Sequence, residues 1–463
     1  MLLVEKQGIF YNVINQKRQQ PDSNSKRKGE LIMKKKLCLA MTMAMVVSLA
    51  GCGGGGASSD SGASDNGGAS DNGGDSGEGG VSGSITIWEH DYSFENSLEQ
   101  IIAGFQEEYP NVEVDYEIKA DGDYYSLLQT AIQSGSGPDL FWTNGTATAN
   151  MPDLVSNDAC ADLTDLVDYS FISDAAMDLA TMDDGIYSVP WMTLDTRTVF
   201  YNKDMFEENK WEVPTTFSEF EDLLADIKKA GITPISLAHD SWSALFAYEP
   251  VLAAYDPEYC EGLRDYTSKA DDDAAREALQ KMVDWAEEGY FGSNWTGVID
   301  NSAQILAFTT GAAAMNIAGS WDATTISENN PDLNFGAFTI PSEDGTTGLV
   351  GTSANGFSVN AASENMDAAA AFANYCASKE AQTIWVQSQG AVSGSEEIEA
   401  STEIAKEISE SGGGNTYRSW QNVLSSHSST GNASTIWDSD FMKVFDGQMT
   451  VDELMDELGA EME

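Results

Sequence analysis

Apolar and polar positions through the body of this chain follow two alternating rhythms. Ser84-Ile-Thr-Ile-Trp88 alternates with period two and predicts a strand. Leu98, Ile101, Ile102, Phe105 and Tyr109 recur at helical spacing and stop at Pro110, which predicts an amphipathic helix. Val112, Val114 and Tyr116 alternate again. Tyr124, Leu127, Leu128, Ala131 and Ile132 form a second helical stripe closed by Gly135-Ser-Gly-Pro138, and Asp139-Leu-Phe-Trp142 is a short apolar strand. Strand, helix, strand, helix, strand predicts a parallel α/β sheet. Ligands of such sheets sit off the carboxyl ends of the strands, here Trp88-Glu89-His90 and Trp142-Thr143-Asn144.

Tyr187 to Phe206 departs from a simple core pattern. It opens on Gly185, passes Pro190, carries Trp191, Asp195 and Arg197 close together, and closes on Val199-Phe200-Tyr201-Asn202-Lys203-Asp204. The β-branched and aromatic content predicts an extended segment, with Asn202 and Asp204 as a turn or helix cap after it. A strand passing a cleft accommodates such polarity. Trp191 and Asp195 are then expected to face a ligand, Val199 and Tyr201 a core, and Arg197 to pair with an acid.

Further on, Thr216 to Lys229 predicts a helix with Phe217, Phe220, Leu223, Leu224 and Ile227 inward. Gly231 to Leu237 predicts a strand leading to His239-Asp240-Ser241-Trp242. Ala275 to Gly289 and Gln304 to Phe308 read as helices, with Trp295 in the loop between them. Ala312 to Ile317 reads as a buried strand ending in Gly319-Ser320-Trp321-Asp322. Phe335 to Ile340 and Gly356 to Asn360 read as strands around an exposed loop, 341–351. Met366 to Cys376 and Ser378 to Ser388 read as helices, and Thr450-Val-Asp-Glu453 caps a final one. Trp285 and Trp385 fall at helical spacing among apolar neighbours, as core residues do.

The first 83 residues have another character. Met33-Lys34-Lys35-Lys36 followed by the apolar run Leu37 to Leu49 has the form of a secretory signal, too short for a stable span. Leu49-Ala50-Gly51-Cys52 resembles the bacterial lipobox, which implies cleavage before Cys52 and lipidation of its thiol. Residues 1–32, basic and aperiodic, read as an over-extended translation start or a tail removed with the signal peptide 33–51. The Gly/Ser/Asp-rich stretch 52–83 repeats Ala-Ser-Asp-Asn-Gly-Gly at 63–68 and 69–74 and reads as a flexible spacer. A doubly acylated cysteine is a stable anchor. The expected location is the outer face of a bacterial, Gram-positive, cell membrane.

Charge narrows the partners. The chain holds 23 Lys/Arg and 75 Asp/Glu; setting aside the nine and three within 1–51 leaves 14 and 72, a formal charge of −58. Such a body repels nucleic acid and anionic lipid. Cys160, Cys260 and Cys376 are scattered, with no C-x-x-C spacing, and read as small buried residues. Three unclustered histidines, an Asp446-Gly447 that lacks the other ligands of a calcium loop, and no G-x-x-x-x-G-K-[ST] give an expectation of no metal and no cofactor.

The lipobox, Pro190 through Tyr201-Asn202-Lys203-Asp204-Met205-Phe206, Gly311-Ala-Ala-Ala-Met315 with Gly319-Ser320-Trp321, Gly356-Phe357-Ser358-Val359, Ala369-Ala370-Ala371-Phe372 with Ser378-Lys379-Glu380-Ala381-Gln382, and Gly447 with Thr450 to Glu453 follow one another in order over 84–463. Together they resemble extracellular solute-binding protein family 1, the maltose-binding-protein-like substrate-binding lipoproteins of carbohydrate ABC importers. The resemblance implies a two-lobed α/β fold of the type II periplasmic-binding-protein class, each lobe a mixed or parallel sheet flanked by helices, with a ligand cleft between them. It implies lobe one at 84–191 plus 338–386 and lobe two at 195–337 plus 387–463. It further implies a monomer that captures a mono- or oligosaccharide, hands it to permease subunits and catalyses nothing.

A sugar offers hydroxyls and an apolar C–H face, so its site needs aromatic plates beside carboxylates and amides. An unpaired buried polar group costs ~1–3 kcal/mol. Glu89, His90, Trp142, Asn144, Trp191, Asp195, Asp240, Trp242, Trp295, Gly319, Trp321, Asp322 and Trp420 are the expected ligand residues, most of them at expected strand ends. Two other functions use the same residues. A lipid-anchored glycoside hydrolase needs a carboxylate pair at defined separation, which 72 acids can hide. A binding protein for a non-sugar solute such as a peptide needs only the fold.

Overall fold

The computed structural model describes residues 80–119, 124–145, 151–182, 185–264, 266–393, 395, 397–428 and 432–462. The lipobox with Cys52 and the spacer up to residue 79 lie outside the described residues. The strands are β1 (Gly83–Glu89), β2 (Val112–Ile118), β3 (Leu140–Thr143), β4 (Thr181–Met182), β5 (Gly185–Ile186), β6 (Val189–Asn202), β7 (Thr233–Ser236), β8 (Ala313–Gly319), β9 (Phe335–Phe338), β10 (Leu349–Val359) and β11 (Thr416–Arg418).

Nine of them form one hydrogen-bonded sheet in the order β2-β1-β3-β10-β6-β8-β7, with β11 on β10 and β9 on β6, while β4 and β5 pair separately. The sheet is continuous because β6 and β10 are 14 and 11 residues long, about twice an ordinary strand, and serve both lobes. β1 is parallel to β2 and β3, whereas β10 runs antiparallel to β3 and β6. β8 is parallel to β7 and antiparallel to β6.

Two large cores flank these crossings. One gathers Ile85, Ile87, Leu98, Ile101, Phe105, Leu140, Phe141, Trp191, Phe357, Phe372 and Trp385. The other gathers Val199, Phe220, Leu224, Ile235, Tyr248, Leu279, Trp285, Met315, Phe338, Trp437 and Leu454. A smaller cluster of Phe200, Ile305, Phe308, Ile326, Leu349 and Ile408 includes inward positions of β6 and β10. Burying this many side chains at ~1.5–3 kcal/mol each offsets the ordering of two lobes joined by a few strands.

The local signals act as expected at several ends. The Asn202 side chain accepts from the Met205 amide and starts the helix Lys203–Asn209. Thr450 and Glu453 close a reciprocal capping box on Val451–Glu461. Cys160, Cys260 and Cys376 are buried free thiols, and burial pushes the Cys160 thiol up to about 12.

Three expectations differ. The stretch expected as an exposed loop, 341–351, is largely buried at its ends, and β10 already begins at Leu349. Phe338, Ile340 and Val350, on the lobe-one side of the expected boundary at 338, pack in the second core. Leu127 is 46% exposed, because Tyr124, Leu128 and Ala131 are the buried face of their helix.

Candidate functional site

Strand polarity brings the two ends of the chain's chemistry toward each other. β3 ends at Thr143, opposite Gly356, and Gly356 is opposite Pro190 on β6. β8 runs the other way and ends at Gly319, opposite Arg197 on the same strand. The carboxyl ends of the two lobes therefore point at one another across seven residues of β6, roughly 23 Å of strand. In that interval Asp195 faces β10, and its Oδ2 accepts from Asn355 Nδ2 at 2.7 Å.

On the first side, β1 delivers Glu89 with its side chain fully buried. Its Oε1 accepts from the His90 amide at 2.8 Å and lies 2.7 Å from His90 Nδ1. Glu89 Oε2 has no hydrogen-bond partner among the described residues. Burial pushes the Glu89 carboxyl up, and the contacts to His90 pull it part of the way back. His90 lies flat on Trp142, with ring centroids 3.4 Å apart and planes at 16°. Tyr124 donates to the Trp142 carbonyl at 2.9 Å, tying its helix to the end of β3. Asn144 follows, half-buried, its amide donating to Tyr125 Oη at 3.4 Å.

On the second side, Asp240 caps the helix Ser241–Tyr255 by accepting from the Ser243 amide at 2.8 Å. That places Trp242 in the first turn, 49% exposed, with its ring edge-on to Phe246 at 4.6 Å. Trp321, 40% exposed, meets the same Phe246 edge-on at 5.4 Å. Its indole folds back over Gly319, where an added Cβ would stand 2.2 Å from Trp321 Cζ2. Asp322 is buried, and Asn301 Nδ2 donates to both its oxygens at 3.1 and 3.2 Å. Behind the aromatic rings Arg197 pairs through Nε with Glu249 Oε2 at 2.6 Å, both side chains fully buried, and its guanidinium lies 3.7 Å from the Phe246 ring centre. That matches the expectation that Arg197 meets an acid.

The expected residues thus divide. Glu89, His90, Asn144, Asp195, Asp240, Trp242, Gly319, Trp321 and Asp322 stand at the carboxyl ends or on the crossing strand. Trp142 is 4% exposed and presents little surface of its own, because His90 covers it. Three expectations are corrected. Trp191 is 1% exposed and packs on Trp385 and Phe357, because the start of β6, Val189, Trp191 and Met192 alike, is enclosed by the first core. Trp295 is buried against Phe291, Phe445 and the edge of His239. Trp420 starts the helix Trp420–Ser426 and packs on Tyr248 and Trp437. Phe246, Asn301 and Asn355 contact these candidate residues without having been expected there. Glu249, an acid inside the apolar run Ala244 to Leu252, was the signal for the buried ion pair.

Asp322 gives a pH test. Burial raises its carboxyl from 3.8 to about 6, against the pull of Asn301 and Arg197. Below about pH 4 the group is neutral in both folded and unfolded chains, and the folded state gains what neutrality gives. As pH rises through 6 the unfolded chain ionises first, so that stability is lost; two units correspond to roughly 3 kcal/mol. Asp322→Asn is expected to raise stability at pH 7 by about 1–3 kcal/mol and to leave it little changed at pH 4. Urea denaturation of both proteins at the two pH values checks this. Equal stabilities at pH 7 would overturn it.

Two α/β units whose strand ends meet across a pair of shared strands define a two-lobed solute-binding protein of the type II class. The chain belongs to the bacterial extracellular solute-binding protein family, whose pattern matches residues 93–383. It is 25% identical over 303 residues to the multiple sugar-binding protein of Streptococcus mutans, covering 63% of this chain and 70% of that one. Its fold is similar to that of a chitin oligosaccharide binding protein, with TM-score 0.68 and 21% identity over 82% of this chain and 98% of the other. It is also similar to a substrate-binding protein solved in complex with raffinose, with TM-score 0.65 and 22% identity over 82% and 98%. The family and these neighbours are binding proteins. Among the described residues no helix is long and apolar enough to cross a membrane.

Proposed function

We propose that this protein is the receptor of an ABC importer, taking up an uncharged carbohydrate between its lobes and presenting it to the permease without transforming it. The observation that carries this reading is the opposition of Glu89–His90 on one side to Trp321–Asp322 on the other. Each pairs a ring with a desolvated carboxylate, the combination that a sugar's C–H face and hydroxyls require. Membership of the solute-binding family and likeness to relatives named for sugars support it. Asp195, Asp240 and Asp322 on the same faces disfavour anionic sugars.

Cys52 is the proposed lipid attachment, holding the protein at the outer face of the cell membrane through the 52–83 spacer. The proposed lobes are those divided by β6 and β10, with closure as a hinge motion of these crossing strands.

A thermal-shift screen of the purified protein against mono- and oligosaccharides tests the function. A ligand at a hundredfold excess over Kd stabilises by ~2.7 kcal/mol. The bound sugar is expected to be recovered unchanged by chromatography. A shift with peptides and none with sugars, or release of shortened sugar, would sink the proposal. Gly319→Ala tests the site. The added methyl displaces the Trp321 indole rather than backbone, so sugar affinity is expected to fall about tenfold with little change in melting temperature. Unchanged affinity would place the ligand elsewhere.

A further inference from the structure

Glu89 is 0% exposed, so its carboxylate offers no surface to a ligand, whereas 12% of the His90 side chain is open. The two are coupled. Glu89 Oε1 accepts from the His90 amide at 2.8 Å and lies 2.7 Å from His90 Nδ1. Toward the amide Oε1 is necessarily an acceptor, and an ionised carboxylate has no proton to give. Nδ1 therefore carries the ring proton. Burial pushes the Glu89 carboxyl up, and the contacts to His90 pull it back toward the carboxylate that this arrangement needs.

The imidazole is held against turning over. One face lies on Trp142, and the rings of Tyr124 and Phe94 meet it at 5.9 and 5.6 Å. Tyr124 is itself tied to the carbonyls of Trp88 and Trp142. A flipped ring would set a carbon against Oε1 and leave the buried carboxylate without its side-chain partner. Asp91, the next acid along this turn, accepts from the Ser93 amide through Oδ1. With Nδ1 engaged, Nε2 is the ring's polar atom that has no partner among the described residues, and it is not sealed from solvent.

We infer that Glu89 is a positioning residue that acts on the ligand through His90: it holds the imidazole in the Nδ1–H form, so that the Nε2 lone pair accepts from a hydroxyl of the sugar. This rests on the proposed carbohydrate function. Which nitrogen of a histidine is free is set by the hydrogen bond that the other makes, and here a buried acid makes it. Lobe one then selects a group that donates at this point, which a hydroxyl does and a fluorine or an ether oxygen does not.

Nitrogen-15 NMR of the full mature protein at pH 8 reads the tautomer directly, since the chain has three histidines and His90→Phe identifies the signal of His90 by its loss. His90 is expected with its proton on Nδ1. Glu89→Gln is expected to move the population toward Nε2–H, because a carboxamide can present either an oxygen or an N–H to Nδ1. Calorimetric titration with the sugar that binds is expected to show affinity about tenfold weaker in His90→Phe, which keeps a ring on Trp142, and about fivefold weaker in Glu89→Gln. In the His90→Phe background Glu89→Gln is expected to add nothing, as befits a residue that acts through the imidazole. At the contacted hydroxyl, deoxy and deoxyfluoro analogues are expected to lose affinity alike. His90 in the Nε2–H form, or the same loss from Glu89→Gln with and without His90, overturns the inference and leaves the carbohydrate function standing. Silence of every sugar overturns that function, and the inference with it.

Discussion

Gly356→Ala is expected to destabilise the protein more than a methyl group added at any other described glycine. A Cβ at Gly356 would stand 1.6 Å from the Val189 carbonyl oxygen and 3.0 Å from Trp191 Cδ1. At the other glycines where an added Cβ is seen to come within 3.0 Å of a neighbour, the nearest atom belongs to a side chain, which can swing aside. Here the obstacle is the backbone of β6 where it leaves lobe one. Gly356 is opposite both Thr143 and Pro190, so three strands meet at this residue, and the register against β6 shifts just before it. Making room means parting β10 from β6 and disturbing the packing of Trp191 on Trp385. Overpacking of this kind costs ~3 kcal/mol or more. The chemical-denaturation midpoint and the soluble yield report it. A loss below about 1 kcal/mol would mean that the two strands separate freely, and that the crossing is not the rigid element it is taken to be.

The same junction shows why the order of strands and helices was legible in the sequence and the long strands β6 and β10 only in part. Periodicity identifies β1, β2 and β3 and the helices between them, since each buries one face against one sheet and writes that face as a regular stripe. β6 was legible because its mixture of Trp, Asp and Arg fits no single core. Its alternation alone does not separate Trp191 from Asp195: four residues apart, the two would share a face of a regular strand, but the pairing of β6 with β10 shifts register between them and Trp191 enters the first core with Val189 and Met192. β10 was read as a loop followed by a short strand because Gly351 and Gly356, with Thr352 and Ser353 between them, read as punctuation. In a strand crowded on both sides small residues are what close approach demands.

Helix Ser241–Tyr255 escaped the pattern for the opposite reason. Residues Ser243 through Ala254 are all buried, so the helix has no polar face and therefore no stripe. With it went Phe246, the ring on which both exposed tryptophans rest. Of the candidate residues, Glu89, His90, Trp321 and Asp322 could be placed at strand ends because the carboxyl end of a strand is a position the sequence marks. Trp295 and Trp420 were misplaced because a tryptophan in a short irregular segment carries no information on which way it turns. Contact with Phe445 and Tyr248, distant in sequence, decides it.

Glu249→Ala is the second large effect, and it separates stability from binding. Arg197 and Glu249 are both fully buried, and burial holds the Arg197 guanidinium below its ordinary value, with Glu249 pulling it only part of the way back. Removing the carboxylate leaves a buried cation with weaker compensation from Asp195 and Asp322, and takes the acceptor from the Gln421 amide. A broken buried pair costs ~3–5 kcal/mol, whereas replacing both partners with apolar groups of similar size is often near neutral. Arg197→Met with Glu249→Leu is therefore expected to recover most of the stability lost by Glu249→Ala, as judged by urea denaturation. Binding is expected to behave differently. The double variant removes the guanidinium under Phe246 and near Trp321, so the platform loses its cation–π support and its fixed height. Sugar affinity is then expected to stay about five- to tenfold below that of the parent although the fold is restored. Recovery of both together would mean that the ion pair serves the core alone. Recovery of stability without affinity would mean that evolution kept a costly buried charge on this crossing strand for the sake of the two rings above it.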